Sequence, residues 1–400
     1  MVKYRSPPFF YEGNVGFLKW LKNVLFGGGE EERFKSFEKE IYIERVSYRG
    51  AGKKEVSRPR RNVRASEKIP PGGDRKLLNE LGIPILAGNP DIARRLGVST
   101  GELCWLAFPK RFDTVDHYRE FHIPKLNGGE RRILAPKKKL KAAQRWILKN
   151  ILTAERVRGL VHENVHGFRR GKSVATNARP HVGAEVVVHL DLTDFFETIT
   201  LPRVRGIFRK LGYSHVAATT LAILCTVYIG RVDETKTGSR KQVLPQGAPT
   251  SPAITNLVCN KLDRRLAGLA RRYGVKYTRY ADDITFSGGK SFCNALRRFL
   301  PTVRRIIREE RFTINEKKVH VARKGARQSV TGIVVNQQMN IPRSERRRYR
   351  AILHQLRKIP PGTEKPKKLN AHLSGVAAYL SMINPEAGRK MHEEVKSVFN

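Results

Sequence analysis

The stretch YTRYADDITFSGG, Tyr277 to Gly289, sets Asp282 and Asp283 side by side among strand-favouring residues and closes on a Gly-Gly turn signal. Its flanks predict two strands with the aspartates at the bend between them. Adjacent carboxylates repel, so a core hairpin that holds them implies a cation. Upstream, AEVVVHLDLTDFFETI (Ala184 to Ile199) predicts a strand running into a turn, with Asp191 at the strand end. If the two segments are neighbours in one sheet, three carboxylates converge. Such a set suits two Mg²⁺ ions ~3.5–4 Å apart, able to activate a hydroxyl and stabilise a leaving pyrophosphate. Mg²⁺ prefers a few carboxylates completed by phosphate oxygens and water.

The 400 residues are 40% apolar, enough for a sizeable core and two or three domains. Lys and Arg number 78 against 36 Asp and Glu, a formal net charge of +42, which implies a polyanionic partner. Charge alone names a partner class and no activity. Cys104, Cys225, Cys259 and Cys293 form no CxxC pair, which argues against a zinc site or a disulfide framework and for a reducing cytoplasm. No segment approaches the ~18 apolar residues of a membrane helix, so no membrane partner is expected. GFLKWLKNVLFGGG near the N-terminus makes a poor signal peptide and reads as a packed amphipathic helix.

Residues 1–75 read as a basic N-terminal extension, with RGAGKKEVSRPRRNVR (Arg49 to Arg64) as a basic arm. A small helical element follows over 76–117. In NPDIARRLGVSTGELCWLAF, Asn89 and Ser99 are candidate N-caps and Gly97 closes the first helix. YREFHIPKLNGGERRILA predicts a hairpin about the NGG turn, and PKKKLKAAQRWILKNIL a helix with Leu140, Ala143, Ile147 and Ile151 on one face. Helices are expected over RVRGIFRKLG, SHVAATTLAILCTVYI and SPAITNLVCNKLDRRLAGLARRYG, the last opened by Ser251 and Pro252. Further on come the Asp282 hairpin, the helix KSFCNALRRFLPTVRRIIREERF, the hairpin VTGIVVNQQMNIP and a helical remainder after Pro342. This order predicts an α+β fold with helices on one face of a sheet.

The chain resembles reverse transcriptases. LDLTDFFETI, LPQGAPTSPAITNLV, YADD and RFTINEKKV occur in the order of that family's catalytic motifs, preceded by the fingers-like hairpin IPKLNGGERRILAP. The resemblance covers about residues 78 to 385. It implies a right-hand polymerase architecture: fingers over 118–183, palm over 184–335 and a helical thumb over 336–400. It also implies Asp191, Asp282 and Asp283 as catalytic residues and metal ligands, with the Leu192 carbonyl adding an oxygen. Two Mg²⁺ ions, for which Mn²⁺ can substitute, would serve the reaction. Lys125, Arg131, Gln246, Gly247 and Lys318 would bind the deoxynucleoside triphosphate. Phe196, five positions after Asp191, would exclude a ribose 2′-OH. Pro249 and Pro252 stiffen the entry to the following helix.

Two further stretches resemble signatures of bacterial retron reverse transcriptases: Asn177-Ala178-x-x-His181, and Val330-Thr331-Gly332. The resemblance implies reverse transcription of a structured non-coding RNA, started from a 2′-OH, into branched RNA-linked single-stranded DNA. It further implies an effector protein, a role in antiphage defence, and RNA removal by a host RNase H. Asn177, His181, Val330, Thr331 and Gly332 would then bind RNA. So would the basic helix SERRRYRAILHQLRK, opened by Ser344, through Arg346, Arg347, Arg348 and Arg350, while Tyr349, Ile352, Leu353 and Leu356 pack inward. A group II intron-like or other bacterial reverse transcriptase and, in a different class, a catalytically silent RNA-binding scaffold are the alternatives.

Overall fold

The computed structural model describes residues 72–108, 117–124, 128–229, 241–360 and 367–399. The basic arm, the amphipathic stretch Gly16 to Gly29 and Lys125 lie outside these residues. The described residues fall into two units: 120–124 with 128–133, and 72–108 with 117–119 and 134–399.

Strands β1 (Tyr118–Pro124) and β2 (Glu130–Pro136) form the expected hairpin. Residues 120–133 form its tip and belong to the smaller unit. There Arg132 donates to both Glu120 oxygens at 2.8 Å, and Arg131 sits half-buried on β2.

The larger unit opens with α1 (Arg75–Glu80), α2 (Asn89–Leu96) and α3 (Thr100–Ala107). Ser99 caps α3 in a reciprocal capping box with Glu102, and Gly97 ends α2 at φ 69°. The cap of α2 is Gly88; Asn89 is the first helical residue, and its Oδ1 accepts the Thr220 hydroxyl at 2.7 Å. Helix α4 (Lys138–Ile147) continues into a π-helical turn, Leu148–Leu152. Leu140, Ala143, Ile147 and Ile151 are all buried, as their spacing requires.

After α5 (Glu155–Gly159) and α6 (Val174–Ala178), the central strand β3 runs Val186–Asp191. Then come α7 (Leu201–Lys210), α8 (His215–Leu224), β4 (Val227–Ile229) and β5 (Lys241–Val243). The helix expected through TVYI stops at Leu224. Val227, Tyr228 and Ile229 are strand-formers, and they pair antiparallel with β5. The long helix α9 (Ser251–Arg272) leads to β6 (Lys276–Tyr280) and β7 (Asp283–Gly288). Next are α10 (Lys290–Glu309), β8 (His320–Arg323), β9 (Ser329–Val330) and β10 (Ile333–Val334). Three helices close the chain: α11 (Arg343–Arg357), α12 (Lys367–Ile383) and α13 (Pro385–Phe399). Helix α11 starts one residue before Ser344, because the Pro342 carbonyl accepts the first helical N–H, from Arg346.

Strands β6, β7, β3 and β8 form one sheet in that order, antiparallel throughout. Pleating sends alternate side chains to opposite faces. Tyr277, Arg279, Ile284, Phe286, Val188 and Leu190 share the face covered by α9 and α10, where Phe286 and Phe299 rings meet at 4.9 Å. Thr278, Thr285, Ser287, His189, Asp191 and Asp283 share the other face. The architecture is α+β. Among the described residues, no helix is long and apolar enough to cross a membrane.

Candidate active site

Register brings the aspartates together. Asp191, the last residue of β3, is the pairing partner of Asp283, the first of β7. Asp282 precedes Asp283 at the bend, and its carbonyl accepts the Leu192 N–H at 3.2 Å. The bend itself is sharp: Ala281 holds φ at 56°, a left-handed conformation costly for any residue with a side chain. Burial first, then the charges of Asp283 and Asp191, push the Asp282 carboxyl up to about 6.

Two basic side chains approach this cluster. The segment after α10 runs beside the end of β3, where the Asn315 N–H donates to the Asp191 carbonyl at 2.8 Å and Ile314 bridges to Leu192. That docking delivers Lys318, whose Nζ lies 3.1 Å from both Asp191 oxygens. His189 Nε2 lies 3.3 Å from Asp283 Oδ1. Burial alone would depress the His189 pKa, but its bond to Asp283 and the neighbouring carboxylate charges raise it.

The two residues of the aromatic pair differ in burial. Phe195 is buried against Phe312, while Phe196 is only partly buried beside it. Gly247 adopts φ 120° in the turn after β5, a conformation that favours glycine. The preceding Gln246 carbonyl is held by the Leu134 N–H at 2.7 Å.

The expectation for Asn177, His181, Val330 and Thr331 is contact with RNA. All four are buried, so they present no surface to a partner in this conformation. His181 is fully enclosed and bonds Ser287 Oγ at 2.7 Å and Thr278 Oγ1 at 2.8 Å, one on each strand of the Asp282 hairpin. Burial pushes its pKa down to about 3. Asn177 Nδ2 donates to Thr331 Oγ1 at 3.4 Å, which ties α6 to the β9–β10 turn. Gly332, at φ 81° in that turn, is exposed. On α11, Ile352, Leu353 and Leu356 are buried, Tyr349, Arg346 and Arg348 are half-buried, and Arg347 and Arg350 are exposed.

One constellation behind the bend escaped the sequence reading. Arg279 and Asp263 form an ion pair with no exposed side-chain surface, Nε to Oδ1 at 2.7 Å and Nη2 to Oδ2 at 2.8 Å. The signal was there in two places. Arg279 alternates with Tyr277 on a core-facing strand, and Asp263 lies among the apolar residues Cys259, Leu262 and Leu266 of α9.

Comparison with known proteins agrees with the motif order. Residues 123–352 match the family described as reverse transcriptase (RNA-dependent DNA polymerase). The retron Mx65 reverse transcriptase of Myxococcus xanthus is 43% identical over 325 residues, 80% of this chain and 73% of the relative. The retron Ec86 reverse transcriptase of Escherichia coli is 35% identical, over 70% of this chain and 81% of the relative. Among solved structures, telomerase from Candida albicans in complex with a fragment of telomeric RNA overlaps 74% of this chain and 64% of its own, at 10% identity and TM-score 0.45. The chain belongs to the reverse transcriptases, RNA-directed DNA polymerases, and within them to the bacterial retron type.

Proposed function

We propose that Asp191 and Asp282, with the Leu192 carbonyl, hold the two divalent cations of nucleotidyl transfer, and that Asp283 is an auxiliary carboxylate. The observation that carries this reading is that three carboxylates meet at one end of the sheet: Asp191 pairs with Asp283, and the half-buried Asp282 lies beside both, its carboxyl pushed up to about 6. Its electrostatic deficit is what a cation would relieve. The donors are hard oxygens, which suit Mg²⁺. When bound, the cations supply activation of the 3′-hydroxyl and stabilisation of the departing pyrophosphate.

The chain's own residues do the rest. Lys318 partly offsets the Asp191 charge before substrate arrives. Lys125 and Arg131 neutralise triphosphate charge, Gln246 and Gly247 offer backbone to the incoming nucleotide, and Phe196 crowds the 2′ position of the sugar. Arg347 and Arg350 grip the phosphates of a structured non-coding RNA. The enzyme copies that RNA into branched RNA-linked single-stranded DNA, within an antiphage system that includes an effector protein; host RNase H removes the template. Residues 1–75 are the basic extension, followed by the small helical element over 76–117 and the fingers, palm and thumb at the boundaries given above.

Asp282→Asn should abolish primer extension on an RNA template while leaving RNA affinity and thermal unfolding close to those of the unaltered protein. Extension at the unaltered rate would defeat the assignment.

A further inference from the structure

The carboxylate pair stands on a backbone bend that is held from behind. Arg279 Nη1 donates to the Ala281 carbonyl at 2.8 Å, and Ala281 is the left-handed residue immediately before Asp282. The guanidinium reaches there from the opposite face of the sheet, since Arg279 points toward α9 with Tyr277 and Ile284. Three more of its donors are engaged: Asp263 takes two bonds, and Asn256 Oδ1 lies 3.4 Å from Nη2. The side chain is fully buried.

A second element presses on the same bend. Residues 164–167 run alongside β6: Arg279 N–H donates to the Asn164 carbonyl at 2.9 Å, and His166 N–H to the Arg279 carbonyl at 2.8 Å. Gly167 then passes so close that a Cβ would lie 2.5 Å from the Ala281 nitrogen and 3.1 Å from the Tyr280 carbonyl carbon. Both of those atoms are backbone, so neither can swing aside. Asn256 Nδ2 holds the Gly167 carbonyl at 2.9 Å, so one helix side chain joins the strap to the arginine.

We propose that Arg279, anchored by Asp263, is a positioning residue for polymerisation, and that Gly167 is the matching contact on the other side: together they fix the Ala281 peptide and so the placement of Asp282. A left-handed alanine persists only where its surroundings over-determine it. Here the Ala281 carbonyl is held by Arg279, the Asp282 carbonyl by Leu192 N–H, and the Ala281 nitrogen is backed by Gly167. A carboxylate moved by about 1 Å can cost on the order of a hundredfold in rate. This inference rests on the metal-ligand reading of Asp282.

The test compares four variants by steady-state extension on a primed RNA template, with thermal unfolding and template affinity measured alongside. Arg279→Met with Asp263→Leu removes both charges together, which leaves no buried charge unpaired. Gly167→Ala pushes on the bend and leaves the ion pair intact. Tyr277→Phe removes the hydroxyl that donates to Asp263 at 2.7 Å but no bond to the bend. Asp282→Asn reports on the site itself. The double variant and Gly167→Ala should each lose turnover by tenfold or more at saturating nucleotide, with nucleotide KM and template affinity within about twofold. Tyr277→Phe should stay within about twofold in turnover.

A folded double variant with unaltered turnover overturns the proposal. So does a Tyr277→Phe loss as large as that of the double variant, which would mean the network acts only through stability. Should the double variant melt below the assay temperature, Gly167→Ala decides, and unaltered turnover there is fatal. If Asp282→Asn is dead while the others extend normally, the positioning role alone fails. If Asp282→Asn extends normally, the metal-site reading fails with it.

Discussion

Arg279 on β6 is fully buried, with its donors assigned to Asp263, Asn256 and the Ala281 carbonyl. Arg347 and Arg350 on α11 are exposed. The residue type is the same and the physics is opposite. A buried guanidinium must be matched by fixed acceptors, so its strong interactions define a geometry. An exposed guanidinium keeps its water and acts through a screened field, so it serves a partner that arrives later. The net charge of +42 is therefore at least two properties, one architectural and one for recognition.

The largest expected effect separates these uses by stability. Asp263→Ala strands the Arg279 charge in the core and should cost about 3–5 kcal/mol of unfolding free energy. Arg347→Ala should change it by no more than about 0.5 kcal/mol. Denaturant titration of both reads the difference, and similar values would break the contrast.

A smaller effect comes from the buried histidine that fastens the same hairpin from its other face. The folded-state pKa of His181 is about 3, below its ordinary 6.5. The unfolded chain therefore binds a proton that the folded chain refuses, and stability falls as pH drops below about 6.5, continuing toward about 3. At pH 5 the loss from this one group is on the order of 2 kcal/mol. His181→Gln should flatten that acid limb relative to the unaltered protein. An equally steep limb in the variant would assign the acid sensitivity elsewhere, His166 being the next candidate, with its pKa pushed down to about 4 chiefly by burial.

The smallest effect sharpens the recognition side. Arg347→Ala with Arg350→Ala should weaken RNA binding and reduce the slope of log affinity against log salt by about two, one for each lost phosphate contact. Arg346 and Arg348 are half-buried, and their replacement should lower stability more than it lowers the slope. A slope indifferent to Arg347 and Arg350 would make α11 a packing helix with an incidental charge.

Legibility in the sequence followed the range of the interaction. Two strands and the bend between them were readable in YTRYADDITFSGG because period-two alternation and turn residues are local signals. The Asp191 to Asp283 pairing was legible only as a condition on neighbouring strands, and Lys318 only through motif order. The Arg279 to Asp263 pair was missed because an arginine in a strand reads as exposed until its partner on α9 is known. For Asn177 and His181 RNA contact was implied by the family resemblance alone, and the Thr278 and Ser287 hydroxyls that satisfy His181 lie far along the chain, out of reach of any local signal. Asn89 was misplaced by one position and Ser344 by two as helix caps, where Gly88 and Pro342 supplied the boundary instead.

The position of β3 between β7 and β8 has a consequence for how the enzyme is made. Lys318 and Asp191 are 127 residues apart in the chain, and β8 follows Lys318 directly. The β6–β7 hairpin closes over a short loop and can form early, whereas β3 must wait for partners synthesised much later. On the ribosome, β3 emerges as a run of valines with both edges open, Val186, Val187 and Val188, the kind of segment that invites wrong pairing. The polymerising face is thus among the last surfaces to exist, and a nascent chain stalled before Arg323 holds its aspartates without a finished sheet to stand on.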